Sequence, residues 1–210
     1  GNKPDDTNLG RYNPKEPELY RELAWHFQHK MGHYLDDAHQ YYKVQWASRM
    51  NEVLGKGQVD WDALLNPDTP EEIERVRKLR EEYKMDPAVM KKVDERYGPL
   101  EWHLPEAHAI YWAWLGLQET KDQTQKSELF IGLRRIIFQS LQLAFMRGRM
   151  IYTTGDNFVY GPNLEIIQQA HEAYLEQAEL EPNMRKNIET GHRNFIGTGG
   201  YHLYTHNRKE

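Results

Sequence analysis

From Pro17 onward, apolar residues recur at helical spacing. Leu19, Leu23, Phe27 and Met31 fall at four-residue steps, with Tyr20 and Ala24 beside them. That pattern predicts a helix over 17–31, ended by Gly32. A second helix begins at Asp36 or Asp37 and carries Ala38, Tyr41, Tyr42, Trp46 and Met50 as far as Gly55-Lys56-Gly57. Residues 60–65 read as one short helical turn. Thr69-Pro70-Glu71-Glu72 has the chemistry of a helix start: a capping hydroxyl, proline at the first helical position, then acids at the positive end of the dipole. Asp86-Pro87 opens a further helix through Val89, Met90 and Val93, and Leu104-Pro105-Glu106 opens a strongly apolar one over 107–117. A polar connector precedes the longest predicted helix, over about 127–149. A loop over 152–162 and helices over about 163–179 and 182–208 complete the pattern. No stretch alternates with period two strongly enough to predict a sheet. The chain reads as all-α, with an extended lead-in over 1–16 and a single helical domain over 17–210.

The order of small and bulky residues adds a second level. Leu23-Ala24-x-x-Phe27 is followed by Gly32, Ala38 and Tyr42, and Asn13-Pro14 lies upstream. Ala109-x-x-Trp112-x-x-x-Gly116 and Gly200-x-x-Leu203-x-x-x-Asn207 repeat the spacing in part. A small residue lets two helix axes approach, and the bulky residue near it fills the interface. This spacing resembles the tetratricopeptide repeat. The resemblance implies irregular antiparallel helix pairs stacked as an α-α superhelix, whose first helices line a concave groove. A closed helical bundle is the alternative. The stretch Tyr97-Gly98-Pro99-Leu100-Glu101-Trp102-His103-Leu104-Pro105-Glu106-Ala107-His108 and onward to Ala113 also resembles uncharacterised bacterial helical-repeat proteins, which bears on fold and on no activity.

Composition narrows the function classes. Among 210 residues there is no cysteine, which excludes disulfides, zinc–thiolate sites and thiol catalysis. Lysine and arginine number 27 against 32 acids, a net charge of −5, so the chain has no bulk basic footprint for nucleic acid. No run approaches the ~18 apolar residues of a membrane span, which predicts no membrane insertion by these residues. The chain opens on Gly1 rather than Met and is expected to be a piece of a longer protein, so cytoplasmic, exported and membrane-anchored settings all stay open.

Histidine supplies the best metal constellation. Glu22, His26, His29 and His33 follow one another at steps of four, three and four, on one stripe of an α-helix. Other features are sparser. Glu189-x-x-His192 has the spacing of a di-iron bundle but occurs once, and His171-Glu172 lacks the second histidine of a zinc protease helix. His202 and His206 stand one turn apart. Gly197-x-Gly199-Gly200 follows no strand, so close helix packing explains it better than a phosphate cradle. The acid pairs Asp36-Asp37 and Asp60-x-Asp62 fit helix caps. Arg134-Arg135, Arg147 and Arg149 read as a solvated face, or a patch for an acidic peptide.

The preferred expectation is a non-enzymatic protein-interaction scaffold with no cofactor, binding a protein or peptide partner in the repeat groove. The groove would be lined by Trp25, Gln28 and His29, then by Ile110, Ala113 and Trp114, and finally by Tyr201, Tyr204 and Thr205. Weak self-association is expected at an uncapped C-terminal end. The alternative is a helical-bundle metal-binding protein or metalloenzyme that uses Glu22, His26, His29 and His33. A third reading is a small-molecule or glycan sensor with an enclosed aromatic pocket.

Overall fold

A computed structural model describes residues 17–32, 37–119, 128–153 and 158–206. The described helices are α1 (Pro17–Trp25), a π-helical continuation (His26–Gly32), α2 (Asp37–Leu54), α3 (Trp61–Leu65), α4 (Pro70–Glu81), α5 (Pro87–Tyr97), α6 (Pro105–Glu119), α7 (Glu128–Arg147), α8 (Ile167–Leu180) and α9 (Arg185–His206). The protein is all-α apart from a small hairpin. The predicted starts hold where capping chemistry dictates them. Asp60 accepts from the amides of Asp62 and Ala63, and Asp86 from those of Ala88 and Val89. Thr69 and Glu72 form a reciprocal capping box, with Pro70 at the first position.

Helix α6 lies at the centre, packed against α1, α5, α7 and the π-helical turn. Eleven of its fifteen residues are buried, Ile110 and Trp112 completely. A helix apolar on every side has to be enclosed in this way. Gly116 lets neighbours close on it: a Cβ there would lie 2.9 Å from Leu133 and 3.1 Å from Tyr20. From α6 onward the chain packs in succession, α7 on α6, α8 on α7 and α9 on α8, while α1 lies against both α6 and α7.

Three expectations need correction. The stretch after α7, read as a loop, forms an antiparallel hairpin of β1 (Arg149–Tyr152) and β2 (Phe158–Gly161), with Met150 opposite Tyr160. Its strands are four residues long, too short for alternation to stand out. Helix α9, at 22 residues, is longer than α7, at 20, because α7 gives up its end to β1. Finally, α7 is the one helix among the described residues that is long and apolar enough to cross a membrane, by length and composition. Half of its apolar window is buried inside the fold. Arg134 and Arg135 leave it to pair with Glu176 of α8 and with Glu181. Those features fit a core helix, and each of the two arginines has a carboxylate partner.

Candidate functional site

The stretch singled out for its resemblance, 97–113, holds the buried polar residues His103, Glu106 and His108. Asp94 Oδ1 accepts from the Leu100 amide at 2.9 Å and from Trp102 Nε1 at 3.0 Å, which fixes the approach to α6. Asn163 Nδ2 donates to the Pro99 carbonyl at 2.7 Å, and Gln169 Nε2 to the Gly98 carbonyl at 2.8 Å. His103, buried, bridges Glu101 at 2.7 Å and the Gly55 carbonyl at 2.7 Å. His108 Nε2 donates to the Trp102 carbonyl at 2.8 Å, and Nδ1, with no hydrogen-bond partner among the described residues, is buried among Phe27, Trp46 and Trp102. Desolvation there pulls the His108 pKa down to about 4, so the ring is neutral at pH 7.

Next to it sits a buried ion cluster. Lys43 Nζ of α2 meets Glu106 Oε1 of α6 at 2.6 Å, and each side chain is only 1% exposed. Arg147, at the end of α7, approaches the same oxygen at 3.6 Å. The Tyr160 ring of β2 lies 5.1 Å from Lys43 Nζ. Burial lowers the Lys43 pKa, Glu106 opposes that shift, and Arg147 adds to it. Burial and the Glu106 carboxylate both raise the Tyr160 phenol. Glu106 Oε2 and the Tyr160 hydroxyl find no hydrogen-bond partner among the described residues. Such a cluster ties α2, α6, α7 and the hairpin together. Lys43 and Glu106 are almost wholly enclosed, so among the described residues their ion pair offers no open face for a ligand.

The predicted groove residues divide sharply. Ile110 and Ala113 are fully buried in the core, and Gln28 is buried with its amide donating to the Ile136 carbonyl and to Gln139. These three therefore face no groove. Trp114 is half-buried against the core. Trp25 is exposed and stacks on His29 with ring centroids 4.7 Å apart. Tyr201, Tyr204 and Thr205 are exposed on α9, Tyr201 at 65% and Tyr204 at 62%.

Of the histidine stripe, Glu22, His26 and His29 lie within the described residues. His26 and His29 belong to the π-helical turn, whose wider winding carries residues three apart off a common α-helical face. Glu22 is exposed on α1, and His33 lies outside the described residues. Among the described residues no three metal-ligating side chains gather round one point. An open cleft of about 310 Å³ between α5 and α8 is lined by Arg96, Tyr97, Gln169, Glu172, Leu175 and Glu176. It is neither enclosed nor predominantly aromatic, unlike the pocket a sensor was expected to have.

Helix α9 explains its glycines. Phe195 and Gly199 form its inner face, with Gly199 against Ile167 and Phe145. On the opposite side a Cβ at Gly197 or Gly200 would meet none of the described residues within 4 Å. Ile196, Tyr201 and Tyr204 are exposed round that bare backbone. Lys186 and Arg193, seven residues apart, share this face by helical spacing. No family model, curated protein or solved structure matches the chain.

Proposed function

We propose that the protein is a non-enzymatic interaction module that binds a segment of a partner protein along the outer face of α9. The observation that carries this reading is the exposure of Ile196, Tyr201 and Tyr204 around two helix-interior glycines with open space above them. A glycine inside a helix costs roughly 0.5–1 kcal/mol relative to alanine. Gly199 recovers that cost by packing, whereas Gly197 and Gly200 recover nothing within the fold. Bare backbone beside exposed tyrosines suits the close approach of another chain, and tyrosine anchors bury large area at low rotamer cost.

The occupant is an amphipathic segment with acids beside an apolar stripe. In a chain of net charge −5, α9 carries Arg185, Lys186 and Arg193 against Glu189 alone. The tetratricopeptide-like spacing contributes the general mode, a helical surface reading a peptide, but the surface moves from an inner groove to the last described helix.

A displayed library of random 16-residue peptides tests the proposal. Selected sequences should be amphipathic and acidic, and Tyr201→Ser/Tyr204→Ser should weaken them at least tenfold with unchanged circular dichroism. Peptides that ignore that substitution would overturn the reading. So would a wild-type chain that dimerises through this face.

A further inference from the structure

Two motifs that were incomplete in the sequence meet in the fold. His171, of the lone His171-Glu172 pair, stands on α8, and His192, of the lone Glu189-x-x-His192, stands on α9. Their nitrogens, His171 Nδ1 and His192 Nε2, face each other at 2.8 Å across the two helices. At that distance the pair shares one proton, so one nitrogen donates while the other offers its lone pair. Both rings are half-buried, open to water on one side. His192 is held in place by stacking on Tyr174, centroids 4.9 Å apart, and the Tyr174 hydroxyl is in turn bonded to Gln142 of α7.

We propose that His171 and His192 form a two-imidazole site for a borderline divalent transition-metal ion of the zinc class, which pins α9 to α8. The ion takes the place of the shared proton. With ~2.0–2.1 Å metal–nitrogen bonds in tetrahedral geometry, the two ligand nitrogens stand about 3.3 Å apart. The imidazoles must therefore part by roughly half an ångström and turn so that both lone pairs meet at the ion beside the nitrogen–nitrogen line, through side-chain rotations at a half-buried edge. No third protein ligand joins them among the described residues. The remaining positions then belong to water, which makes the ion exchangeable rather than a permanent structural element. Imidazole ligands without thiolate suit Zn²⁺, Co²⁺, Ni²⁺ and Cu²⁺ and disfavour Mg²⁺ and Ca²⁺. The site is distinct from the outer face of α9, because His192 lies on the side of the helix that faces α8.

Titration calorimetry of tag-free protein with zinc chloride at pH 7.5 tests this. One ion per chain is expected, with magnesium chloride giving no heat. His171→Ala and His192→Ala should each weaken that binding at least tenfold, and His202→Ala/His206→Ala should leave it unchanged. Binding that survives His171→Ala, or that disappears with His202→Ala/His206→Ala, overturns the assignment. Should the alanine chains fold poorly, side-chain nitrogen NMR of the wild-type protein decides. Zinc should shift His171 Nδ1 and His192 Nε2 before any other imidazole, and shifts confined to other histidines refute the site.

Discussion

Helices α6 and α9 differ in their apolar content, nine of fifteen residues against six of twenty-two, and still more in what they do with it. Eleven of the fifteen residues of α6 are buried, whereas α9 buries two of twenty-two, Phe195 and Gly199. In α6 even the polar side chains Glu106 and His108 are enclosed, and the glycine is gripped by Leu133 and Tyr20. In α9, tyrosines and an isoleucine stand in solvent and two glycines face open space. The first helix is organised for cohesion. The second carries features that weaken the isolated fold, and under the proposed function a bound segment covers them.

The largest expected effect breaks the cohesive half. Glu106→Leu leaves the Lys43 ammonium buried without its carboxylate, and should cost about 3–5 kcal/mol in urea unfolding. The double substitution Lys43→Met/Glu106→Leu should recover a good part of that loss. A single substitution costing less than about 1 kcal/mol would show that the cluster is not sealed from water.

Next is acid sensitivity. His108 has a folded pKa lowered to about 4 from 6.5. As pH falls from 6.5 towards 4, the unfolded chain takes up a proton that the folded chain refuses, so stability declines across that window by up to about 3 kcal/mol. Below about pH 4 this contribution stops changing. Unfolding free energies measured from pH 7 to 4 should show the decline, and His108→Phe should flatten it. An equal slope in both chains would mean that His108 is not the group responsible.

The glycines sharpen the contrast with smaller numbers. Gly116→Ala forces a methyl against Leu133 and Tyr20 and should cost about 1–3 kcal/mol. Gly197→Ala and Gly200→Ala meet nothing, and each should stabilise the chain by roughly 0.5–1 kcal/mol through helix propensity alone. Thermal melts of the three chains give the signs directly.

Much of this fold was legible in the sequence, because local chemistry decides it. Asp60, Thr69 and Asp86 are capping residues wherever they precede a helical pattern, and the strongly apolar stretch over 107–117, opened by Leu104-Pro105-Glu106, reads as a helix. What the sequence obscured depends on neighbours distant in the chain. The groove assignment of Ile110 and Ala113 assumed a one-sided α6, and the enclosure by α1 and α7 reverses it. The Glu22, His26, His29 and His33 stripe assumed α-helical winding that the π turn does not keep. Lys43, Glu106, Arg147 and Tyr160 come from four elements, and His171 and His192 from two, so no spacing rule could have joined them. The one available signal for Glu106 was its place as an acid in the most apolar segment.

The most direct test of the claim that α9 gives up stability for binding is one titration: a peptide selected on the wild-type protein, measured against Gly197→Ala/Gly200→Ala. The account requires a chain that melts higher yet binds that peptide at least tenfold more weakly, because two methyl groups stand where the segment must lie. A chain that melts higher and binds equally well would contradict it and leave the outer face of α9 as ordinary solvated surface.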